Sequence, residues 1–393
     1  MATELAHKLW CNNDEVLHLN SAHGDLYSEY FITCELSASE DVCDLEHKYQ
    51  QFVEKLVQYE ITPVHEKVFA CLSFLSSFLG VQSRLYRTLG FSSNRIPFSY
   101  IEGAPVANGA RWAGVQLYGI RVQDPSQVEV KDIVGQGGSC GKIIESRDAR
   151  QVLFTGLNGV HCLKSGSVGG KNEIENVFSN LDVSLRNAGF QMSDLARTWF
   201  HLRDILPAYN EFNQARKDSY TGRIDRERLP ASTAIQGKPA FGREIVLDAL
   251  AIQPKNGNGP IVRTMTSPAQ PEAQTYGPLF SRGIEITWPG YKILHVSGTA
   301  GIDESGRSVH TEDPALQVSH TLNAISLLLN KYGATMNDIV QASAYFKTPE
   351  LEPIFNNILK MNNWDDMPCL RMLADVCRDD LFFEMDCIAI VHF

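Results

Sequence analysis

Apolar positions along the chain follow two periods in turn. Stretches with three-to-four spacing, as in Val177, Leu181 and Leu185 or Leu322, Ile325 and Leu329, predict helices with one face on a sheet. Short continuous apolar runs between them predict buried strands. Three segments share one order of helix, polar break and strand: EHKYQQFVEKLVQYEITPVHEKVFACLSFL near 46–75, IENVFSNLDVSLRNAGFQMSDLARTWFHLRD at 174–204, and VSHTLNAISLLLNKYGATMNDIVQASAYFK at 318–347. The second and third align without a gap, pairing Phe178 with Leu322, Met192 with Met336 and Asp194 with Asp338. Gly189 and Gly333 fall just past the helix, where a left-handed cap favours glycine.

The repeat extends on both sides. Downstream of each helix a proline opens a strand, RIPFSYIEG at Pro97, RLPASTAIQG at Pro230 and DMPCLRMLADVC at Pro368, and a second strand follows, GVQLYGIRV, EIVLDALAI and FFEMDCIAIV. Upstream lies one more strand each time, YFITCELSA, VLFTGLNGV and ILHVSGTAGI. The unit is therefore an α+β module, roughly β-β-α-β-β with one more helix inserted. A sheet covered by helices on one face leaves the other bare, and three such sheets can cover one another around a pseudo-threefold axis. The expected modules are 1–123, 143–254 and 275–393, with polar, Gly- and Pro-rich linkers at 124–142 and 253–274.

Composition narrows the function classes. A chain of 393 residues exceeds one ordinary core, and its 44% hydrophobic and 21% charged residues suit a folded globular protein. The net charge of -11, without a basic stripe, argues against nucleic acid as a partner. No apolar run approaches the roughly 18 to 20 residues of a membrane span, and the N-terminus lacks a signal-peptide pattern, so a cytoplasmic protein is expected. The nine cysteines are scattered and never spaced as C-x-x-C, which suits reduced thiols. The eleven histidines never pair at helical metal spacing, so neither a metal nor any other cofactor is expected. QGGSCGKI at 136–143 lacks the first glycine and the final hydroxyl of a phosphate loop, and LKSGSVGGK at 163–171 reads as a flexible turn.

VSGTAGID at 297–304, the three helix-break-strand segments and MPCLRMLADVCRDDLFFEMDCIAI at 367–390 resemble the Rid/YjgF family, whose members are trimers of chorismate-mutase-like modules with ligand clefts between subunits. The resemblance implies an intrachain pseudo-trimer, with further association left open. Rid deaminases hold a substrate carboxylate with an arginine two residues after the strand-opening proline; here those positions are Ser99, Ser232 and Leu370. Arg371 stands one place further, which reverses its face unless a bulge shifts the register. A closer resemblance is to the chorismatases, fused three-lobed enzymes that split chorismate's enolpyruvyl ether. It rests on ARTWFHLRDILPAYNEFNQARKDSY at 196–220, LPASTAIQG at 229–237 and ADVCRDDLFFEMD, with Cys377 seven residues before Glu384. The stretch between Trp199 and Tyr209 is shorter than theirs.

Cleaving an enol ether requires a proton for the methylene carbon, and a buried carboxylic acid can supply it. Glu384, in the apolar strand FFEMDCIAI, is the candidate general acid; on an edge strand it would instead face solvent. Cys377 is a candidate nucleophile or a pocket wall, with Arg378 either lowering its pKa or standing as a surface charge. Arginines suit a carboxylate ligand. Arg197 sits among apolar neighbours and needs a partner, either a ligand or an internal acid. Arg216 shares a helical face with Phe212 and Asn213, or is a solvated charge. Tyr209 and Tyr118 are hydrogen-bond donors or structural rings. The expected partner is a small carboxylate in a cleft between the second and third modules. Residual enamine deamination through Arg371, and binding without turnover, are the alternatives.

Overall fold

A computed structural model describes residues 16–35, 42–91, 96–106, 111–135, 138–159, 173–255, 257 and 259–393. The first module runs β1 (Val16–His23), β2 (Tyr27–Glu35), α1 (Val42–Gln58), β3 (Thr62–Ala70), α2 (Leu75–Thr88), β4 (Phe98–Glu102), β5 (Ala104–Pro105) and β6 (Trp112–Val122). The second runs β7 (Val128–Gly135), β8 (Gly138–Ser146), β9 (Ala149–Asn158), α3 (Glu173–Asn187), β10 (Leu195–Leu202), α4 (Ile205–Tyr220), β11 (Ala231–Gln236) and β12 (Ile245–Pro254). The third runs β13 (Ile261–Met265), β14 (Gly283–Trp288), β15 (Tyr291–Ala300), α5 (Pro314–Lys331), β16 (Ile339–Phe346), α6 (Leu351–Met361), β17 (Cys369–Leu373) and β18 (Phe383–His392).

The three sheets have orders β1-β2-β6-β3-β4, β11-β10-β12-β9-β8-β7 and β13-β14-β15-β18-β16-β17-β5. In each, the strand opened by proline lies parallel to the strand before the second helix. The last strand inserts antiparallel between that strand and the first hairpin. The two strands after the proline are therefore not a hairpin, because the strand before the second helix lies between them in each sheet.

The stretches read as linkers hold more order than their polarity suggested. Residues 128–135 form β7 and 261–265 form β13, each an outer strand that extends the following sheet. β7 alternates buried and exposed positions only weakly, and its lysine, aspartate and glutamate suit a solvated sheet edge. Of QGGSCGKI, residues 138–143 lie in β8, and 136–137 lie outside the described residues. LKSGSVGGK at 163–171 lies outside the described residues.

Strands β10 and β16 are buried along their whole length, since helices cover one face and neighbouring sheets the other. On the helix side, Val177, Phe178, Leu181 and Leu185 meet Phe200 and Phe212 in one core, and Val318, Leu322, Ile325 and Leu329 fill the equivalent one. On the sheet side a single cluster takes Tyr27, Phe31 and Ile120 from the first module, Leu153 and Leu250 from the second, and Ile286, Ile293 and Ile388 from the third. The seams close in a ring of backbone contacts. Ala104 and Pro105 pair with Leu373 and Met372, Lys238 O accepts from Glu102 N at 2.8 Å, and Asp375 O accepts from Gln236 N at 3.1 Å. Each module's parallel edge strand is thus sealed by the loop of another.

The helix ends follow the repeat. Gly189 and Gly333 take φ of +79° and +72°, and Glu60, at the same place after α1, takes +55° although it is not glycine. Asp313 caps α5 by accepting from Leu316 N at 3.0 Å, with Pro314 opening the first turn. Among the described residues, no helix is long and apolar enough to cross a membrane. None of Cys34, Cys71, Cys140, Cys369, Cys377 and Cys387 is in a disulfide.

Candidate functional site

The seam between the second and third modules holds a pocket of about 520 Å³. Helix α4 brings Tyr209 and Arg216 to it, β11 brings Ser232 and Ala234, and β15 brings Gly298 and Ala300. The loop before β18 adds Cys377 and Arg378, β18 adds Glu384, and the segment before β14 adds Tyr276, Phe280 and Arg282. The two modules are joined there by Ser232 N donating to Ser297 Oγ at 2.9 Å and Gly298 N donating to Thr233 Oγ1 at 3.1 Å.

Glu384 is 5% exposed. Burial, reinforced by the charge of Asp386 and opposed by Arg197 and Arg282, pushes its carboxyl up to about 8. It lies so close to Gly298 that a Cβ built there would stand 2.1 Å from Oε1. Strand register shows why this acid is singular. Glu384 pairs with Tyr345, Val246 with His201, and Gly114 with Phe69, so the three modules place glutamate, valine and glycine at one equivalent position.

Three guanidinium groups line the same pocket as this acid, interleaved with two rings. Arg216 lies over Phe212 at 4.9 Å and Phe280 at 5.3 Å, Arg282 over Tyr276 at 5.5 Å and Phe280 at 5.7 Å, and Arg378 over Tyr276 at 5.9 Å. Their hydrogen bonds go to neutral oxygens. Arg216 donates to Asn213 Oδ1 and, at 3.5 Å, to Ser232 Oγ. Arg282 donates to Pro271 O at 2.8 Å and to the Tyr276 hydroxyl at 2.8 Å, and Arg378 to Gly306 O at 2.8 Å. Among the described residues no carboxylate forms an ion pair with any of the three. Arg216 is 2% and Arg282 3% exposed, so both cations are desolvated without a direct ion pair, and Glu272 acts on Arg282 only through charge at a distance. Burial lowers the pKa of Arg216 from its ordinary value.

Cys377 shares a hydrogen bond with Tyr209. Packing, and after it the nearby Glu384, pushes the thiol up to about 12, so Arg378 does not make it a thiolate. The Tyr209 hydroxyl is held above its ordinary value, mainly by burial.

The remaining sequence candidates fall elsewhere. Arg197 is 1% exposed, and an internal acid is its partner: Nη2 lies 3.5 Å from Asp386 Oδ2 and donates to Thr233 Oγ1 at 2.6 Å. It stands behind the pocket, where its charge opposes the rise in Glu384. Arg371 is outside the pocket, paired at 3.1 Å with Glu35 on the seam of the first and third modules. Alternation along β17 explains this: Leu370 turns into the core and Arg371 to the opposite side, with no bulge to exchange them. Tyr118 donates to Glu29 at 2.7 Å in the central core. Ser232 was read only as a place without the expected arginine, and Arg282, Tyr276 and Phe280 were not singled out by the sequence. Their signal was a cation and two rings in the polar stretch before β14, next to residues taken for a linker. Among the described residues, no three His, Cys, Asp or Glu side chains cluster to hold a metal.

Residues 280–391 match the family model described as endoribonuclease L-PSP. No curated protein matches the chain at the level of sequence. Among solved structures, a chorismatase is 18% identical with a TM-score of 0.61, covering 93% of this chain and all of its own. The YjgF protein of E. coli is 20% identical with a TM-score of 0.27, over 33% of this chain and 98% of its own. A putative endoribonuclease L-PSP from Entamoeba histolytica is 19% identical with a TM-score of 0.27, over 33% of this chain and all of its own. The last module thus matches the endoribonuclease L-PSP family model, and the chain as a whole has the three-module fold seen in a chorismatase.

Proposed function

We propose that the chain is a cofactor-independent enzyme that cleaves the enolpyruvyl ether of a small dicarboxylate of the chorismate type in the seam pocket. One observation carries this reading: three guanidinium groups without ion-pair partners share a pocket with a glutamic acid whose carboxyl is held up to about 8. Such a pocket favours a ligand of two or more negative charges, and offers it one proton.

Arg216, Arg282 and Arg378 are assigned to the substrate carboxylates, with Phe280 and Tyr276 fixing the guanidinium planes. Glu384 gives its proton to the methylene carbon of the enol ether, which leaves an oxocarbenium centre beside the new carboxylate. Water adds to that centre and its proton returns to Glu384. The resulting hemiketal breaks its ether bond to release pyruvate and the ring alcohol, so atoms and charge balance. Arg197 and Asp386 are positioning residues that set the ionisation of Glu384 from behind. The neutral thiol of Cys377 is assigned to shaping the pocket with Tyr209 rather than to nucleophilic attack.

Enamine deamination through Arg371 has less support, because that side chain is committed to Glu35. The test is pyruvate release from chorismate by the purified protein. Release is expected, with Glu384→Gln slower by about 100-fold or more, the scale of a general acid. Binding of chorismate without pyruvate would favour a sensor, and ammonia from 2-aminoacrylate with none of the first activity would favour the deaminase.

A further inference from the structure

A second cavity lies where the three sheets meet. Its wall is largely aliphatic and aromatic, with Phe31, Leu153, Leu250, Ile286, Ile293 and Ile388 among the lining residues. Into this apolar space project two polar side chains that the seam chemistry does not use. Lys67, 4% exposed, places its ammonium 4.8 Å over the ring of Trp199, and no described residue accepts a hydrogen bond from it. His295, also 4% exposed, has no partner for Nδ1.

The neighbouring acids are already engaged. Asp248 accepts from His65 at 2.9 Å, Ser99 at 2.5 Å and Gly156 N at 2.8 Å, and Asp386 accepts from Thr233 at 2.8 Å beside Arg197. Glu29 takes the hydroxyls of Tyr118 and Tyr291 at 2.7 and 2.6 Å. Asp386 and Asp248 act on Lys67 through charge alone, and neither accepts a hydrogen bond from its ammonium. Register puts Lys67, Trp199 and Ser343 at one equivalent position, opposite Gln116, Asp248 and Asp386. Three identical modules would bring three lysines together there, which like-charge repulsion forbids. A fused chain can set one lysine against a tryptophan and a serine.

We infer that the central cavity is a second ligand site, separate from the seam pocket, which takes a short monocarboxylate of about two to four carbons, its carboxylate on Lys67 and His295 and its alkyl part along the aliphatic wall. His295 is held neutral by burial and by Arg197 and Lys67, its pKa pushed down to about 3, so it serves as an uncharged donor. Burial also lowers the pKa of Lys67, and a bound carboxylate would raise it again.

The probe is propionate, with propionamide as the uncharged control, followed by ligand-observed NMR and by the fluorescence of Trp199 and Trp288, both of which line the cavity. The full chain is compared with Lys67→Met, His295→Phe and the seam variant Arg216→Met, each first checked by thermal unfolding. Propionate is expected to bind the natural chain and Arg216→Met alike, about tenfold or more weaker to Lys67→Met, with propionamide silent. If Lys67→Met does not fold, the same loss in His295→Phe carries the test. No binding to the natural chain, equal response to propionamide, or loss in Arg216→Met alone would overturn the inference.

Discussion

Replacing Glu384 by glutamine should raise the stability of the protein, and by an amount that grows with pH. A glutamate carboxyl titrates near 4.5 in the unfolded chain and at about 8 in the fold. Between those values the native state retains a proton that the unfolded state has lost, so native stability falls as pH rises through that window and the full penalty stands above it. At 1.36 kcal/mol per decade, the penalty is on the order of 1 kcal/mol at pH 5, 3 at pH 7 and 5 at pH 9. Glutamine has the same shape and no charge to bury, so it escapes the penalty at every pH. Relaxation around the ionised carboxylate will absorb part of the effect, and a rise of about 2 to 4 kcal/mol in the advantage of Glu384→Gln between pH 5 and pH 9 is expected. Urea unfolding of both proteins at matched ionic strength across that range measures it. Parallel stability curves would show that Glu384 is ordinarily solvated, and would remove the proton on which the proposed chemistry depends.

Two further changes test particular contacts. Gly298→Ala sets a methyl group against the Glu384 carboxyl and should lower turnover by about 10- to 100-fold with the fold retained, measured as kcat for pyruvate release; unchanged turnover would mean that the carboxyl has room to move. Glu60→Gly relieves a left-handed residue at about 1 to 2 kcal/mol, offset by about 0.5 to 1 kcal/mol of added chain entropy, so a gain of up to about 1.5 kcal/mol in denaturant unfolding is expected and a loss would count against the strain.

The repeat was legible because it is written in periodicity. The helices at 174–187 and 318–331 carry matching apolar faces, and the glycines after them meet a backbone requirement that the structure confirms at φ of +79° and +72°. The outer strands were hidden because an exposed sheet edge needs charge and turn residues, which is also what a linker needs. Glu384, Cys377, Tyr209, Arg216 and Arg378 could be named as candidates, since a charge or thiol in an apolar run has to be explained by something. That they share one pocket depends on the second module's α4 and β11 facing the third module's β15 and β18, a tertiary fact with no local trace. Arg282 escaped notice for the same reason: nothing within SRGIEI says that its guanidinium will meet Phe280 and Tyr276.

The equivalent positions explain why one chain carries three modules. In an assembly of identical modules, an acid suited to one seam appears in all three, and a cation near the centre meets two copies of itself. Here Glu384 has valine and glycine as its counterparts, and Lys67 has tryptophan and serine. Each substitution removes a buried charge from a place where it would have no partner, at a saving that buried carboxylates and ammoniums make several kcal/mol apiece. Fusion therefore lets the fold keep one buried glutamate at one seam and one ammonium at the centre, because the sequence no longer has to satisfy three sites with a single residue.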